Sequence, residues 1–441
     1  MQLEAQTQPT GGFIRRKLIA ASCALLGSSV ARAGDGVGDT VGRLLEDWQI
    51  QSALAYYHED GRIQAVEPVI TAVHESSDGG RLGLNFTFDA LSGSSPNGAL
   101  PSRELQTFAS PSAKSFSSAR HTYNIAPGSL PADPNYSDAR AAGGVDWTLA
   151  IDRLTRATLG GKFSYEDDFD SVTASAAVEH DFNEKNTTLS LGINSENDFL
   201  QPIGGAPVPL SEYEQFEKTG HKSKHGEGLL LGLTQVMTRN WLSQANISVD
   251  HFSGYLNDPY KIVSVLDTAG SPVGYLYENR PGSRTRRSAY LENRVAGART
   301  SAALSLRYMT DTWSIHSETA QLRLRWWTAE RDQYLEPSVR WYHQTAASFY
   351  TPWISTTVAP EAYASADSRL AAFHAFTYGL KYGLRMRDRL GSFGRDTTEF
   401  NIRLEYYEQT QAAGPPGPAA LRGLDLYPRL KAMLLQFGFS Y

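Results

Sequence analysis

The residues with the clearest chemical potential are seven basic side chains in the C-terminal third of the chain. They occupy every second position of segments whose other positions are apolar or aromatic. Successive residues of a β-strand point to opposite faces, so this spacing predicts one basic face, which Glu336 and Glu405 share. The basic residues are Arg307, Arg323, Arg325, Arg340, Lys381, Arg385 and Arg403. This face indicates either ion pairs that pack the inside of a barrel or a lumen wall that favours anionic solutes.

Two shorter patterns resemble metal sites. The acidic turn 165–170 clusters carboxylates, which divalent cations prefer, although a solvated hairpin tip explains it more simply. His221 and His225 are four residues apart with Glu227 nearby, a spacing that suits zinc only on a helix, and glycines flank the segment. We therefore expect neither a metal nor a cofactor.

Signals of catalysis are weak. Asp250 and His251 are adjacent, but adjacent strand residues point to opposite faces. The sequence contains no nucleophile-elbow, zinc-protease or phosphate-loop motif. We expect a protein that is not an enzyme, with a hydrolase on the rim of a barrel as the alternative.

The N-terminus predicts an exported protein. Residues 1–33 contain a basic cluster, an apolar region that includes the single cysteine, Cys23, and a final Ala-Arg-Ala, and they read as a cleaved signal peptide. Residues 34–47 would form a periplasmic link. The first 33 residues carry a net charge of +3, so the charge of -6 for the whole chain becomes -9 after cleavage. This acidity argues against nucleic acid as a partner.

From Trp48 to the C-terminus, strand-length segments alternate with turns. We count sixteen strands, with fourteen as the lower alternative, and five long connections that all follow odd-numbered strands. This parity predicts a transmembrane, antiparallel, up-and-down all-β barrel over residues 48–441, with long outer loops and short periplasmic turns. A soluble, secreted β-rich binding protein is the alternative. The predicted loops are Leu91–Arg140, Asn197–His225, Gly254–Thr285, Ser348–Ser368 and Thr410–Pro428.

The last segment alternates apolar and small or polar residues up to the terminal aromatic residue. As the final strand of a barrel it would pair with Thr397–Gln409 and close on Trp48–His58. Its apolar set would face lipid and lipopolysaccharide, and it resembles the C-terminal signal that outer-membrane insertion machinery recognises. This set is Met433, Leu435, Phe437, Phe439 and Tyr441.

Four stretches resemble an uncharacterised family of Gram-negative exported proteins, a domain of unknown function. They are Asp89–Ala99, Gly254–Lys261, Glu278–Arg284 and Arg340–Tyr350. The resemblance covers nearly the whole mature chain and implies an outer-membrane barrel with no established activity, so no catalytic residue is transferred.

The third long loop holds two of these motifs, which suggests an inward-folded plug or a ligand platform, unless the motifs only shape turns. The motif residues in that loop are Asp258, Pro259, Tyr260, Asn279, Arg280 and Pro281. The sequence thus predicts an outer-membrane barrel that acts as a passive or gated conduit for small solutes, or as a scaffold for envelope proteins.

Overall fold

The fold is known from a computed structural model, which describes residues 48–110, 122–213, 218–357, 362–386, 398–412 and 417–440. The predicted signal peptide, the predicted periplasmic link and Tyr441 lie outside the described residues. Among the described residues, no helix is long and apolar enough to cross a bilayer.

Sixteen antiparallel strands form a closed barrel, as the sequence predicted, and seven shorter strands lie in the connections. The strands in chain order are β1 (Trp48–Glu59), β2 (Ile63–Glu75), β3 (Arg81–Pro96), β4 (Gln106–Ala109), β5 (Thr122–Ile125), β6 (Ala132–Ala150), β7 (Thr155–Tyr165), β8 (Phe169–Phe182), β9 (Thr187–Leu200), β10 (Ala206–Pro207), β11 (Lys218–Thr219), β12 (Lys222–Thr238), β13 (Trp241–Gly254), β14 (Ile262–Leu266), β15 (Pro272–Tyr277), β16 (Ser283–Ala296), β17 (Thr300–Asp311), β18 (His316–Trp327), β19 (Gln333–Gln344), β20 (Trp353–Ser355), β21 (Phe373–Arg385), β22 (Glu399–Gln411) and β23 (Leu430–Ser440). The order of the strands around the barrel is β1-β2-β3-β6-β7-β8-β9-β12-β13-β16-β17-β18-β19-β21-β22-β23.

The last strand closes the barrel. β23 pairs antiparallel with β22, where Leu435 lies opposite Leu404, and with β1, where Leu435 lies opposite Tyr56. The predicted pairing of the final segment is therefore confirmed. Because every barrel strand has a neighbour on both sides, the sheet has no free edge.

The outer face of the barrel is apolar around its circumference. Large apolar side chains that alternate along the strands are about half exposed, with accessibilities of 42% to 57%. Each exposed Å² of apolar surface in water costs about 25 cal/mol, so this surface needs an apolar surrounding. Examples from around the barrel are Leu84, Trp147, Leu191, Ile247, Leu306 and Tyr378. We call the opposite face of the strands the inner face.

The connections differ sharply between the two ends. The five long connections follow β3, β9, β13, β19 and β22 and lie at one end, which we call the long-loop end. At the other end, which we call the short-turn end, the connections that the structure describes are short turns. This asymmetry agrees with the predicted parity.

Several strands continue further than the sequence indicated. The prediction placed residues 91–140 in one loop, but β3 continues to Pro96 and β6 begins at Ala132, with Ser92 paired to Ser137. A bulge follows Gly93, whose φ of 133° few other residues adopt. These extensions consist mostly of polar and small residues, so they lack the apolar alternation that marked the lower parts of the same strands.

The assignment of side chains to the outer and inner faces can be tested at two neighbouring residues in the middle of β17. Leu306 is exposed on the outer face, and Ser305 lies on the inner face opposite Glu292. Leu306→Lys should lower the free energy of unfolding in lipid vesicles by about 2–4 kcal/mol, as for a lysine at the bilayer midplane. Ser305→Lys should change it little. Equal effects in urea titrations would contradict this assignment of faces.

Candidate functional site

The long connections fold on one another to form a cap at the long-loop end. We define the cap as the described parts of residues 97–131, 201–221, 255–282, 345–372 and 412–429. Its main apolar cluster joins the connection after β3 to the one after β13, six strands further around the barrel. A contact between such distant strands requires the connections to reach across the mouth. The cluster contains Ala99, Phe108, Tyr123, Ile125, Ile262 and Tyr277.

A second cluster brings in the last long connection. Leu421 packs with Leu100 and Leu266, and all three are buried. The Arg103 guanidinium donates to the backbone carbonyls of Ala420 (2.9 Å) and Arg422. The connections after β3, β13 and β22 are therefore held together by both apolar and polar contacts.

Local sequence explains why one connection forms a small sheet. Ile262–Leu266 is a run of mostly β-branched residues, typical of a strand. The Asp267 carboxylate accepts from the backbone amides of Ala269 (2.9 Å) and Ser271 (2.8 Å), which fixes the turn to β15. β20 adds in parallel to β14, so the connection after β19 is tied to the one after β13.

A buried ion network links the same two connections. Arg280 contacts Glu278 (2.7 Å) and Asp367 (2.8 Å), two acids with accessibilities of 2% and 3%. Arg369 contacts Asp367 (2.6 Å) and Asp258 (2.7 Å). Burial by itself would raise the pKa of Asp367, but the guanidinium of Arg369 and the other nearby cations outweigh burial and lower it. The network therefore keeps Asp367 ionised inside the cap, whereas burial raises the pKa of Glu278.

The motif residues of the third long loop meet at this network. The Tyr260 hydroxyl donates to the Asp168 carboxylate, in the turn between β7 and β8. The backbone amides of Asn279 and Ala364 bond to each other's carbonyls (2.8 and 2.9 Å). Pro259 lines the cavity described next, and Pro281 precedes β16 by two residues. Together with Asp258 and Arg280, these residues fasten the cap to the barrel.

A cavity of about 1420 Å³ lies between the cap and the inner face at the long-loop end. Seven acidic and seven basic residues line it. None of the seven basic residues that the sequence singled out is among the residues that line it. The lining comes from the ends of strands and from the cap, so only the closed barrel brings it together.

Basic and aromatic side chains alternate along one wall of the cavity. The Lys224 ammonium lies 5.9 Å from the centre of the Phe252 ring, and the Arg286 guanidinium lies 4.5 Å from the same ring. The Arg284 guanidinium lies 4.4 Å from the Trp313 ring. Such contacts stabilise a cation by about 0.5–2 kcal/mol each and fix its orientation.

Only part of this basic wall is neutralised by the protein. Lys224 contacts the buried Asp198 at 2.6 Å, and Arg284 donates to Asp311 at 2.8 Å. Arg286 forms neither an ion pair nor a hydrogen bond with any described residue, and its Nε is buried. Arg286 thus presents to the cavity a guanidinium that no described carboxylate contacts directly.

The opposite side of the cavity is acidic. Burial, followed by the charge of Asp138, raises the pKa of Glu166 to about 7. Arg140, which would lower the pKa, is engaged with Asp89 at 2.7 Å. The Glu166 carboxylate forms no hydrogen bond or ion pair with a described side chain. Among the described residues, no cation therefore forms an ion pair with Glu166 or Asp138.

Four of the seven basic residues that the sequence singled out lie in ion pairs. The pairs are Arg323 with Glu292 (3.1 Å), Arg325 with Glu336 (2.5 Å), Arg385 with Glu399 (3.6 Å) and Arg403 with Glu405 (3.5 Å). All seven alternate with exposed apolar residues, which places them on the inner face. Ion pairs thus engage four of these seven residues, and a lumen wall that favours anionic solutes stays a prediction.

The other three have different surroundings. Arg307 and Arg340 are exposed and form no ion pair or hydrogen bond with the described residues. Lys381 lies 5.7 Å from the centre of the Tyr334 ring. Arg307 and Arg340 are thus on the inner face, and the described residues leave both accessible to solvent.

The residues that the sequence offered for metal binding and catalysis make other contacts in the structure. His225 lies on strand β12 and contacts Asn197 (2.9 Å) and Glu227 (3.2 Å), so the helix that zinc would require is not present. In the part of the chain that the structure describes, no three His, Cys, Asp or Glu residues are placed to hold a metal. His251 contacts Thr285 (2.9 Å) rather than Asp250.

The ion network of the cap predicts the effect of removing its central cation. Arg280→Gln would leave Glu278 and Asp367 buried without their partner, a change that costs about 3–5 kcal/mol. We expect faster hydrogen exchange at the amides of Asn279 and Ala364, with little change in the barrel strands. Arg239→Gln, in the turn between β12 and β13, is the control. Exchange that stays at the wild-type rate would contradict the role of the network.

Comparisons with solved structures give outer-membrane proteins at low similarity. A bacterial polysaccharide outer-membrane secretin has 10% identity and a TM-score of 0.43, covering 89% of this chain and 98% of that one. Pseudomonas aeruginosa OpdK with vanillate has 10% identity and a TM-score of 0.37, covering 90% and 99%. Pseudomonas aeruginosa OccK2 (OpdF) with glucuronate has 10% identity and a TM-score of 0.38, covering 89% and 98%. Identities and TM-scores this low do not indicate the function of this chain.

The sequence comparisons give one informative result. No curated protein matches the chain. A family model described as "protein of unknown function (DUF3570)" matches residues 15–441, nearly the whole chain. The chain therefore belongs to the DUF3570 family.

Proposed function

We propose that this protein is an outer-membrane channel for small solutes, with a basic lumen wall and a folded cap over its outer mouth. The proposal follows from the closed barrel, since a barrel with an apolar outer face requires a lipid surrounding, and sixteen strands leave an aqueous lumen unless it is filled. Export would use the predicted signal peptide, residues 1–33. The long-loop end would then face outward.

The observation that supports the proposal most directly is the exposure of Arg307 and Arg340 on the inner face. Both point to the inner face, both are exposed, and neither forms an ion pair with a described residue. A lumen packed for structure alone would pair such groups, since unpaired charges in a closed interior are costly. Exposed, unpaired arginines instead attract anions from solution, as charged rings do in anion-selective pores.

Charge selectivity in planar bilayers tests this role. Wild-type protein should conduct and should prefer anions in a salt gradient. The double variant Arg307→Gln with Arg340→Gln should lower the ratio of anion to cation permeability by about two- to fivefold, since a contact between charges in water is worth about 1 kcal/mol. Arg239→Gln, away from the lumen, should leave the ratio unchanged.

The variant Arg280→Gln distinguishes a channel that the cap keeps closed from a barrel that conducts no ions. If the wild type does not conduct, the proposal requires that Arg280→Gln does, because that change loosens the cap. If neither protein conducts, the result contradicts a conduit and favours a scaffold for envelope partners.

We also infer that the apolar set at the C-terminus is the signal for insertion. Met433 and Phe437 are exposed on the outer face of the closing strand, where insertion machinery could contact them. Deleting residues 439–441 should prevent insertion, whereas Gln436→Ala on the inner face should not. A heat-modifiable barrel in the outer-membrane fraction of the deletion variant would contradict this inference.

A further inference from the structure

The cavity under the cap has two unbalanced charged sides. Arg286 enters it from β16, and Glu166 enters from the turn between β7 and β8, with β9, β12 and β13 between them around the barrel. The two sides are therefore separated across the cavity rather than adjacent in the wall. Neither group forms an ion pair or a side-chain hydrogen bond with a described residue, although the charges of Asp250 and Asp311 act on Arg286 and the charge of Arg140 acts on Glu166. Both groups are therefore available to a ligand.

The basic side is shaped for a planar anion. The Phe252 ring lies 4.5 Å from the Arg286 guanidinium and fixes its plane, while Lys224 and Arg284 are already occupied by Asp198 and Asp311. A guanidinium offers paired donors that match a carboxylate. Its buried Nε has no acceptor, so an anion would also satisfy a donor that the protein leaves open.

The acidic side is shaped for a cation. Asp138 accepts a hydrogen bond only from the backbone amide of Ala139 (2.7 Å), and its charge acts on Glu166. Asp168 adds a further carboxylate, although the hydroxyl of Tyr260 donates to it. A bound ammonium would relieve the repulsion among these carboxylates, which the protein itself does not do.

We propose that this cavity binds a bipolar solute, with its anionic group on Arg286 and its cationic group between Asp138 and Glu166. The inference names the solute class of the proposed channel and in that sense rests on it. The volume of about 1420 Å³ exceeds the roughly 300–1,000 Å³ of ordinary small-molecule pockets, so the solute can be longer than a single amino acid.

Oligoglycine peptides provide matched probes. Free peptides of two to six residues carry both charges, their N-acetylated forms carry only the anion, and their C-terminal amides carry only the cation. Each added residue lengthens an extended peptide by about 3.5 Å, so the series covers the unknown distance between the two groups. Binding is measured by calorimetry on the full-length protein in detergent at pH 7.5, where both Glu166 and the α-amino group of the peptide are mostly charged.

At the best length, the free peptide should bind at least about tenfold more tightly than either capped form, as expected for one charged hydrogen-bonded contact. Arg286→Gln should weaken the free and acetylated peptides by about tenfold and leave the amide unchanged. Glu166→Gln should weaken the free peptide and the amide and leave the acetylated form unchanged. Arg286→Lys should restore part of the loss, which excludes misfolding as its cause.

The control is Arg294→Gln, on the inner face of the same strand but eight residues away, at the short-turn end. It should change none of the affinities. Three results would overturn the proposal: no free peptide binds, a capped form binds as tightly as the free peptide, or Arg286→Gln weakens all forms alike. Binding without conductance would leave this site standing and remove the channel, so the two failures can be told apart.

Discussion

The structure depends on one constraint, the pairing of the last strand with the first. In lipid, an unpaired backbone amide or carbonyl costs several kcal/mol, and a closed sheet is the only strand arrangement that leaves none at an edge. β23 meets this condition by pairing with β22 and β1 along nine or more residues on each side. Once the ends are joined, every side chain must point either to lipid or to the lumen.

Much of this arrangement follows from the sequence, because it depends on local patterns. The alternation of Met433, Leu435 and Phe437 shows an outward face without knowledge of any partner strand. The parity of the long connections orients the strands. The polar extensions of β3 and β6 escaped prediction, since above the apolar belt the strand continues through backbone pairing that leaves no mark in side-chain types.

The motifs of the third long loop suggested an inward-folded plug or a ligand platform, but the contacts of the cap and of its cavity could not be predicted, because they join residues far apart in the chain. Arg284 and Arg286 can be recognised in the sequence as basic residues at alternate positions near the start of a strand. What distinguishes them is their partners: Asp311 neutralises one, and Phe252 covers the other without neutralising it. The motif around Asp258 and Arg280 was visible as a loop sequence, but its ion network requires Asp367, from another connection. The resulting protein has two charged levels along one axis, the bipolar cavity under the cap and the basic inner face below it.

The central claim is that the barrel spans the outer membrane with its cap outside. Because the only cysteine, Cys23, lies in the predicted signal peptide, single cysteines can be introduced for labelling. Ala269 is exposed in the cap, and Asn240 is exposed in a short turn at the other end. On intact cells, a membrane-impermeant maleimide should label Ala269→Cys and should label Asn240→Cys only after the outer membrane is permeabilised. Equal labelling of both positions on intact cells, or the reverse order, would contradict the account.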